Sequence, residues 1–317
     1  MKEQTRELIN KRLAGEKRAL ARLMTYVDNR HDDLLEVMSE IYDRGGKACR
    51  LGITGPPGAG KSTLVDKLIR VYRKQNKTVG VVAIDPSSPF SGGAVLGDRI
   101  RMQDHNSDEG VFIRSLGSRG AHGGLSRATR DIVQLLDAFG CDVILIETVG
   151  VGQTELDIMS VAHTTLVVLV PESGDTIQTM KAGLMEIADI FVVNKGDREG
   201  ADRIMAELKA LSEMHSGNWV VPVLKAVALK GEGLVEIAKT IGEHQNQREL
   251  QANKKDFSEH VLRYECFDIL LSELEERIMN HFVNDPHYKD IYQNLIDRNM
   301  NPYKAAAEVL KLVVLKK

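Results

Sequence analysis

Residues 55–62 read Gly-Pro-Pro-Gly-Ala-Gly-Lys-Ser, a complete G-x-x-x-x-G-K-[ST] string. A short apolar stretch holding Leu51 and Ile53 precedes it, and Leu64, Leu68 and Val71 follow at helical spacing. A strand, a glycine loop and a helix in that order commit the chain to an α/β fold. Glycine lets the loop turn its backbone N–H groups inward, and the helix terminus adds partial positive charge, so the segment is an anion cradle. The candidate phosphate-binding residues are Gly55, Pro56, Pro57, Gly58, Ala59, Gly60, Lys61, Ser62 and Thr63. Lys61 is placed to reach the β- and γ-phosphates, and the Ser62 hydroxyl to ligate Mg²⁺. A nucleoside triphosphate is the expected ligand.

The remainder of residues 48–245 supports such a domain. Apolar stretches at Thr78–Ile84, Val111–Ile113, Val143–Ile146, Leu166–Val170, Ile190–Val193 and Val220–Val223 are short, β-branched and continuous, as in strands covered on both faces. Helical patterns lie between most of them, which predicts a mainly parallel, doubly wound sheet with ligands beyond the carboxyl ends of its strands. Residues 1–47 carry helical periodicity (Leu8, Leu13, Leu20, Leu23, Val27, then Leu34, Leu35, Val37, Met38 and Ile41) and close at Gly45-Gly46. Their basic residues read as the solvated face of helices packed on the main domain. After Gly242 a polar stretch fits either a linker or an exposed helix. Residues 246–317 then read as a helical arm, whose apolar Val309–Leu315 end needs a partner surface, most simply a second copy of the chain.

Composition excludes several classes. A net charge of −3 gives no global basic field for nucleic acid. No apolar run approaches the ~20 residues that span a bilayer. The polar N-terminus lacks the apolar core of a signal peptide, and three dispersed cysteines form no framework, so a cytoplasmic protein is expected.

Asn194-Lys195-Gly196-Asp197 ends the Ile190–Val193 stretch and matches N-K-x-D. A carboxylate at Asp197 accepts hydrogen bonds from guanine N1–H and its 2-amino group, whereas adenine leaves it unpaired, a costly outcome when buried. Lys195 would lie along the base and Asn194 would brace the neighbouring loops. In isolation the tetrapeptide also fits an ordinary polar turn; downstream of a phosphate loop it selects GTP over ATP. The usual Ser-Ala-Lys-like partner loop is not evident, its place being taken by Lys225-Ala226-Val227-Ala228, so a backbone N–H near Val227 or Ala228 is left to meet the guanine O6. Acids for a metal and for hydrolysis are Asp85 at a strand end, Asp98 in a glycine-rich loop, and Glu147 in Glu147-Thr-Val-Gly150, where the Gly150 N–H would meet the γ-phosphate. The candidate metal ligands are thus Ser62, Asp85, Asp98 and Glu147, and the candidate catalytic residues Lys61, Glu147 and Asp98.

Taken in order, the phosphate loop, Asp85-Pro-Ser-Ser, Gly97-Asp-Arg, Arg119–Ser126, Glu147–Glu155, Gly174–Gln178 and Asn194-Lys-Gly-Asp resemble the MeaB/ArgK-type GTPases. These are chaperones associated with methylmalonyl-CoA mutase and related acyl-CoA mutases. The Glu147–Glu155 string is the most specific part, and the likeness covers most of residues 10–240. It implies a G3E-type (SIMIBI) P-loop domain with an N-terminal helical extension and a C-terminal dimerisation arm. It implies GTP/GDP and Mg²⁺ as cofactors, a homodimer, and an adenosylcobalamin-dependent acyl-CoA mutase as client, gated in its cofactor loading and protected or reactivated. By the same matching, Asp175 and Lys181 fall in a partner-sensing segment, and Arg99 and Arg101 in a first switch loop. His122 departs from the family pattern before Gly123-Gly124. Cobalamin is expected on the partner, because Asp104-His105 lacks the D-x-H-x-x-G spacing. Two other classes share features with the chain. A nickel-delivery GTPase would need a Cys-His cluster or His-rich tract, and an ATP-dependent kinase linked to amino-acid transport would need a base beside an acceptor pocket.

Overall fold

The computed structural model describes residues 2–13, 15–85, 102–105, 107–117, 127–148, 158–173, 186–213, 219–252, 263, 266–275, 278–279 and 286–315. They fall into two compact units, Met1–Leu250 and Gln251–Lys317.

In the first unit the helices α1 (Glu3–Leu13), α2 (Lys17–Asp28) and α3 (Leu34–Ile41) precede a seven-stranded sheet. Its strands are β1 (Cys49–Thr54), β2 (Val79–Asp85), β3 (Val111–Gly117), β4 (Val143–Glu147), β5 (Thr164–Leu169), β6 (Ile190–Val193) and β7 (Val223–Lys225). Every pairing is parallel, in the order β3-β2-β4-β1-β5-β6-β7. Among the described residues the unit's other α-helices are α4 (Lys61–Lys74), α5 (Arg127–Ala138), α6 (Ala201–Glu213) and α7 (Leu234–Ala252).

Alternation along the strands explains why they read as unbroken apolar runs. Val79, Val81, Val143 and Leu145 enter one core with α4 and α7. Val82, Ile84, Ile144 and Ile146 enter another with α1, α2, α3 and α5. A third core joins Val167, Leu169, Phe191 and Val193 to α6. A parallel sheet buried on both faces has no side on which to place polar residues.

The N-terminal helices belong to this unit rather than standing off it. Ile9, Leu20, Leu23, Val27 and Ile41 are fully or almost fully buried. Not all of their basic residues form a solvated face. Arg12 is buried, donates to the Phe139 carbonyl at 3.0 Å and lies over the Phe112 and Phe139 rings. Lys17 donates to the Asp108 carbonyl at 2.8 Å, and Asp28 pairs with Arg114 of β3 at 2.7 Å.

One local expectation changes and one open alternative is resolved. The ladder of β7 begins at Val223, not at Val220, which is 64% exposed. Pro222 has no N–H to give a ladder and contributes only its carbonyl, to Phe191 N. The polar stretch after Gly242 is helix, continuous in α7. In the second unit, helical residues at 266–275 precede α8 (Pro286–Ile296) and α9 (Pro302–Leu315), which share a small core of Tyr288, Ile291, Ala305 and Val309.

Candidate functional site

The site lies at the carboxyl end of the central strands. β1 runs straight into the loop Gly55–Gly60, and α4 begins at Lys61. Gly55 has φ +136°, and a Cβ there would lie 2.0 Å from the Val168 carbonyl oxygen on β5. Gly60 has φ +85°, with the Asn194 amide nitrogen 2.4 Å from where a Cβ would stand. Both positions therefore need glycine for backbone conformation and for space. Pro57 and Gly58 are exposed at the loop tip, Pro56 and Ala59 are buried, and Thr63 is half-buried on the first turn of α4. Lys61 is buried and its ammonium donates to the Gly55 and Pro56 carbonyls at 2.7 and 3.1 Å, so it curls back over the loop that a polyphosphate would enter.

Ser62 and Glu147 meet here. The Ser62 hydroxyl donates to Glu147 Oε1 at 2.6 Å, with both residues buried. Glu147 closes β4, whose neighbours are β1 and β2, and Thr148 follows with its N–H on the Ile53 carbonyl and its hydroxyl donating to the Thr54 hydroxyl at 2.9 Å. Asp85 ends β2, two residues beyond the Ala83 that pairs with Glu147. Hydroxyl and carboxylate oxygens are the donors a small hard cation such as Mg²⁺ takes. Asp98, Gly150, Asp175, Lys181, Arg99, Arg101 and His122 lie outside the described residues, as does the string from Val149 to Asp157.

Asn194, Lys195 and Asp197 follow β6. Asn194 is 3% exposed and ties the two halves of the site together. Its Nδ2 donates to the Ala59 carbonyl at 2.8 Å, and its Oδ1 accepts the Ala228 N–H at 3.0 Å. Lys195 adopts φ +53°, and Gly196 N donates to the Ala226 carbonyl at 2.9 Å. Val227 pairs with Glu232 across a tight loop, and Val227 and Ala228 are both buried. The Ala228 N–H is thus engaged by Asn194.

One residue here escaped the sequence reading. Lys230 donates to Asp197 Oδ2 at 3.0 Å. That bond holds the Asp197 carboxyl below its ordinary range and raises the Lys230 ammonium above its own. The signal was Ala228-Leu229-Lys230, an alanine and a lysine in the loop after β7, hidden because the apolar run placed that strand too early.

Such a phosphate loop, set between a strand-end acid and an N-K-x-D segment on a parallel sheet, defines a P-loop GTPase. Residues 20–283 match the family model for methylmalonyl Co-A mutase-associated GTPase MeaB, and the chain belongs to that family. It is 46% identical to a putative GTPase of Pyrococcus abyssi over 97% of this chain and 96% of that protein. It is 31% identical to the methylmalonic aciduria type A homolog, mitochondrial, of Mus musculus, over 94% of this chain and 76% of the relative. A solved structure of a LAO/AO transport system kinase superposes with a TM-score of 0.68 at 27% identity, covering 99% of both chains. The protein is a GTPase of the G3E type.

Proposed function

We propose that this GTPase is the nucleotide-driven chaperone of an adenosylcobalamin-dependent acyl-CoA mutase, gating cofactor loading and protecting or reactivating that enzyme. The observation that carries the reading is the match of residues 20–283 to a family described by its association with methylmalonyl-CoA mutase. The name of the mouse relative, which refers to methylmalonic aciduria, points the same way. In this reading cobalamin stays on the partner, and neither nucleic acid nor a membrane is a partner. Among the described residues no helix is long and apolar enough to cross a membrane. The chain works in the cytoplasm as a homodimer. Residues 1–47 form the helical extension, 48–245 the GTPase domain and 246–317 the dimerisation arm.

In the GTPase domain, residues 55–63 take the phosphates and Asp197 reads guanine, with Lys195 along the base and the Val227-Ala228 loop beside it. Ser62, Asp85, Asp98 and Glu147 would hold Mg²⁺, which when bound neutralises charge on the β- and γ-phosphate oxygens. Lys61, freed from the Gly55 and Pro56 carbonyls, turns to the phosphates. Glu147, already bonded to the Ser62 hydroxyl, fixes that hydroxyl's direction. A switch-based site of this kind hydrolyses slowly until a partner favours one nucleotide state.

The test is steady-state hydrolysis of GTP, with ATP alongside, with and without methylmalonyl-CoA mutase. Slow GTP turnover that the mutase accelerates, with ATP inert, is the expected result. Turnover indifferent to methylmalonyl-CoA mutase and to other cobalamin-dependent acyl-CoA mutases would overturn the client assignment while leaving the GTPase intact.

A further inference from the structure

Asp197 is the carboxylate that must meet guanine, and a cation already holds it. Lys230 Nζ donates to Oδ2 at 3.0 Å, in a pair whose side chains are about half exposed. A supporting role for this contact would require the loop to need it, and the backbone argues against that need. Asn194 N is fixed on the Leu169 carbonyl at 2.8 Å, Gly196 N on Ala226 at 2.9 Å and Arg198 N on Lys195 at 3.0 Å. Lys230 itself sits in a closed turn, its N–H on the Val227 carbonyl at 2.9 Å and Gly231 following at φ +80°. Both backbones are set without the side-chain pair, so what the ammonium adds is charge.

We infer that Lys230 is a counter-ion latch on the base-reading carboxylate, lowering both guanine affinity and base selectivity. The inference rests on the reading of Asn194-Lys-Gly-Asp as the base site. Guanine brings two N–H donors to the two carboxylate oxygens, so at Oδ2 it must share or displace a charge-assisted donor of the stronger class. A base with no donor at those positions, such as adenine, leaves the latch closed and Asp197 still paired. The penalty for an unpaired carboxylate, on which discrimination depends, is then reduced. A 2-oxo base such as xanthine even finds a donor in Lys230. The pair lies in solvent, so its strength is modest and the expected changes are a few-fold.

The experiment is equilibrium binding of GDP, ADP and XDP to the full-length protein and to Lys230→Met, Lys230→Arg and Asp197→Asn, each checked for folding by circular dichroism. Lys230→Met is expected to tighten GDP about two- to fivefold without tightening ADP or XDP. Lys230→Arg keeps the ion pair and should stay near the wild type. The difference between wild type and Lys230→Met should shrink from 50 mM to 1 M salt as the pair is screened. Weaker or unchanged GDP binding in Lys230→Met overturns the latch. If Asp197→Asn leaves the preference for GDP over XDP unchanged, the base-site reading itself is lost, a result separable from failure of the latch alone.

Discussion

Asn194 is the side chain that joins the phosphate loop to the turn after β7, and its replacement by alanine is the sharpest perturbation the structure offers. The substitution removes a 2.8 Å bond to the Ala59 carbonyl and a 3.0 Å bond from the Ala228 N–H. Both partners belong to residues at or below 1% exposure, so neither faces bulk solvent while the amide is in place. A buried polar group stripped of its partner costs about 1–3 kcal/mol, and two of them about 2–6 kcal/mol. A water entering the vacated space brings the expected loss to about 2–4 kcal/mol. For a domain of this size that is a fall in melting temperature of about 5–12 °C, read by thermal and urea unfolding. GDP affinity should drop by about tenfold or more, because the two loops no longer hold the ligand-binding groups at a fixed separation. Asn194→Asp is the informative companion. It keeps an acceptor for Ala228 but sets a carboxylate oxygen against the Ala59 carbonyl, so it should be no more stable than the alanine variant at pH 7. If both variants unfold within about 0.5 kcal/mol of the wild type and bind GDP normally, the bracing role is refuted.

Two further predictions concern acid. Burial, with the cations of Arg248 and Arg50 nearby, pushes His163 down to about 3. Its Nδ1 accepts the Arg50 N–H at 3.4 Å, which requires that nitrogen to be unprotonated. The unfolded chain takes up this proton first, near pH 6.5, so stability should fall on acidification from there toward the folded value with a slope of up to about 1.4 kcal/mol per pH unit. Denaturant titrations of His163→Gln should lack that one-proton slope, and an unaltered slope would refute it. Asp137 gathers the N–H groups of Gly46, Lys47 and Ala48 and the Arg50 guanidinium. Burial works to raise its carboxyl, but the Arg50 bond and the backbone donors outweigh it and the value lies below the ordinary one. Its stabilisation is therefore complete above about pH 4 and lost as pH falls through the lowered folded value. Asp137→Asn should cost about 2–3 kcal/mol at pH 7 and flatten the stability curve below pH 4.

The sheet was legible because burial on both faces forces continuous apolar strands, as at Val143–Ile146, and because the phosphate loop fixes what must flank it. The same rule misplaced β7. Val220-Val-Pro-Val has the composition of a buried strand, yet composition does not register that proline contributes no ladder donor or that Val220 faces solvent. That offset also hid Lys230, since the loop was read two residues too soon. Arg12 was illegible for a different reason. A basic residue on an amphipathic helix reads as solvated, and only the meeting of Phe112 and Phe139 from distant segments makes a place where a guanidinium is held by two rings and a carbonyl.

The topology converts scattered motifs into one site. Ser62 and Glu147 are 85 residues apart, and Ala59 and Asn194 are 135 apart, yet each pair is in hydrogen-bond contact. Parallel pairing sends every strand's carboxyl end to the same edge, so residues just after strands converge whatever their separation in sequence. The order β4-β1-β5-β6-β7 then sets their sequence across that edge: Glu147 on one side of the phosphate loop, Asn194 and the Ala228–Lys230 turn on the other. Val168 on β5 fills the interval, its carbonyl pressed so close to Gly55 that the loop has room for backbone alone. With the loop held from the β5 side by packing and from β6 by Asn194, Glu147 and the Ser62 hydroxyl are left as the polar pair on the β4 side. Glu147 and the Asn194–Asp197 segment thus lie on opposite flanks of the phosphate loop, and Asn194 is the side chain that bonds both to that loop and to the turn after β7.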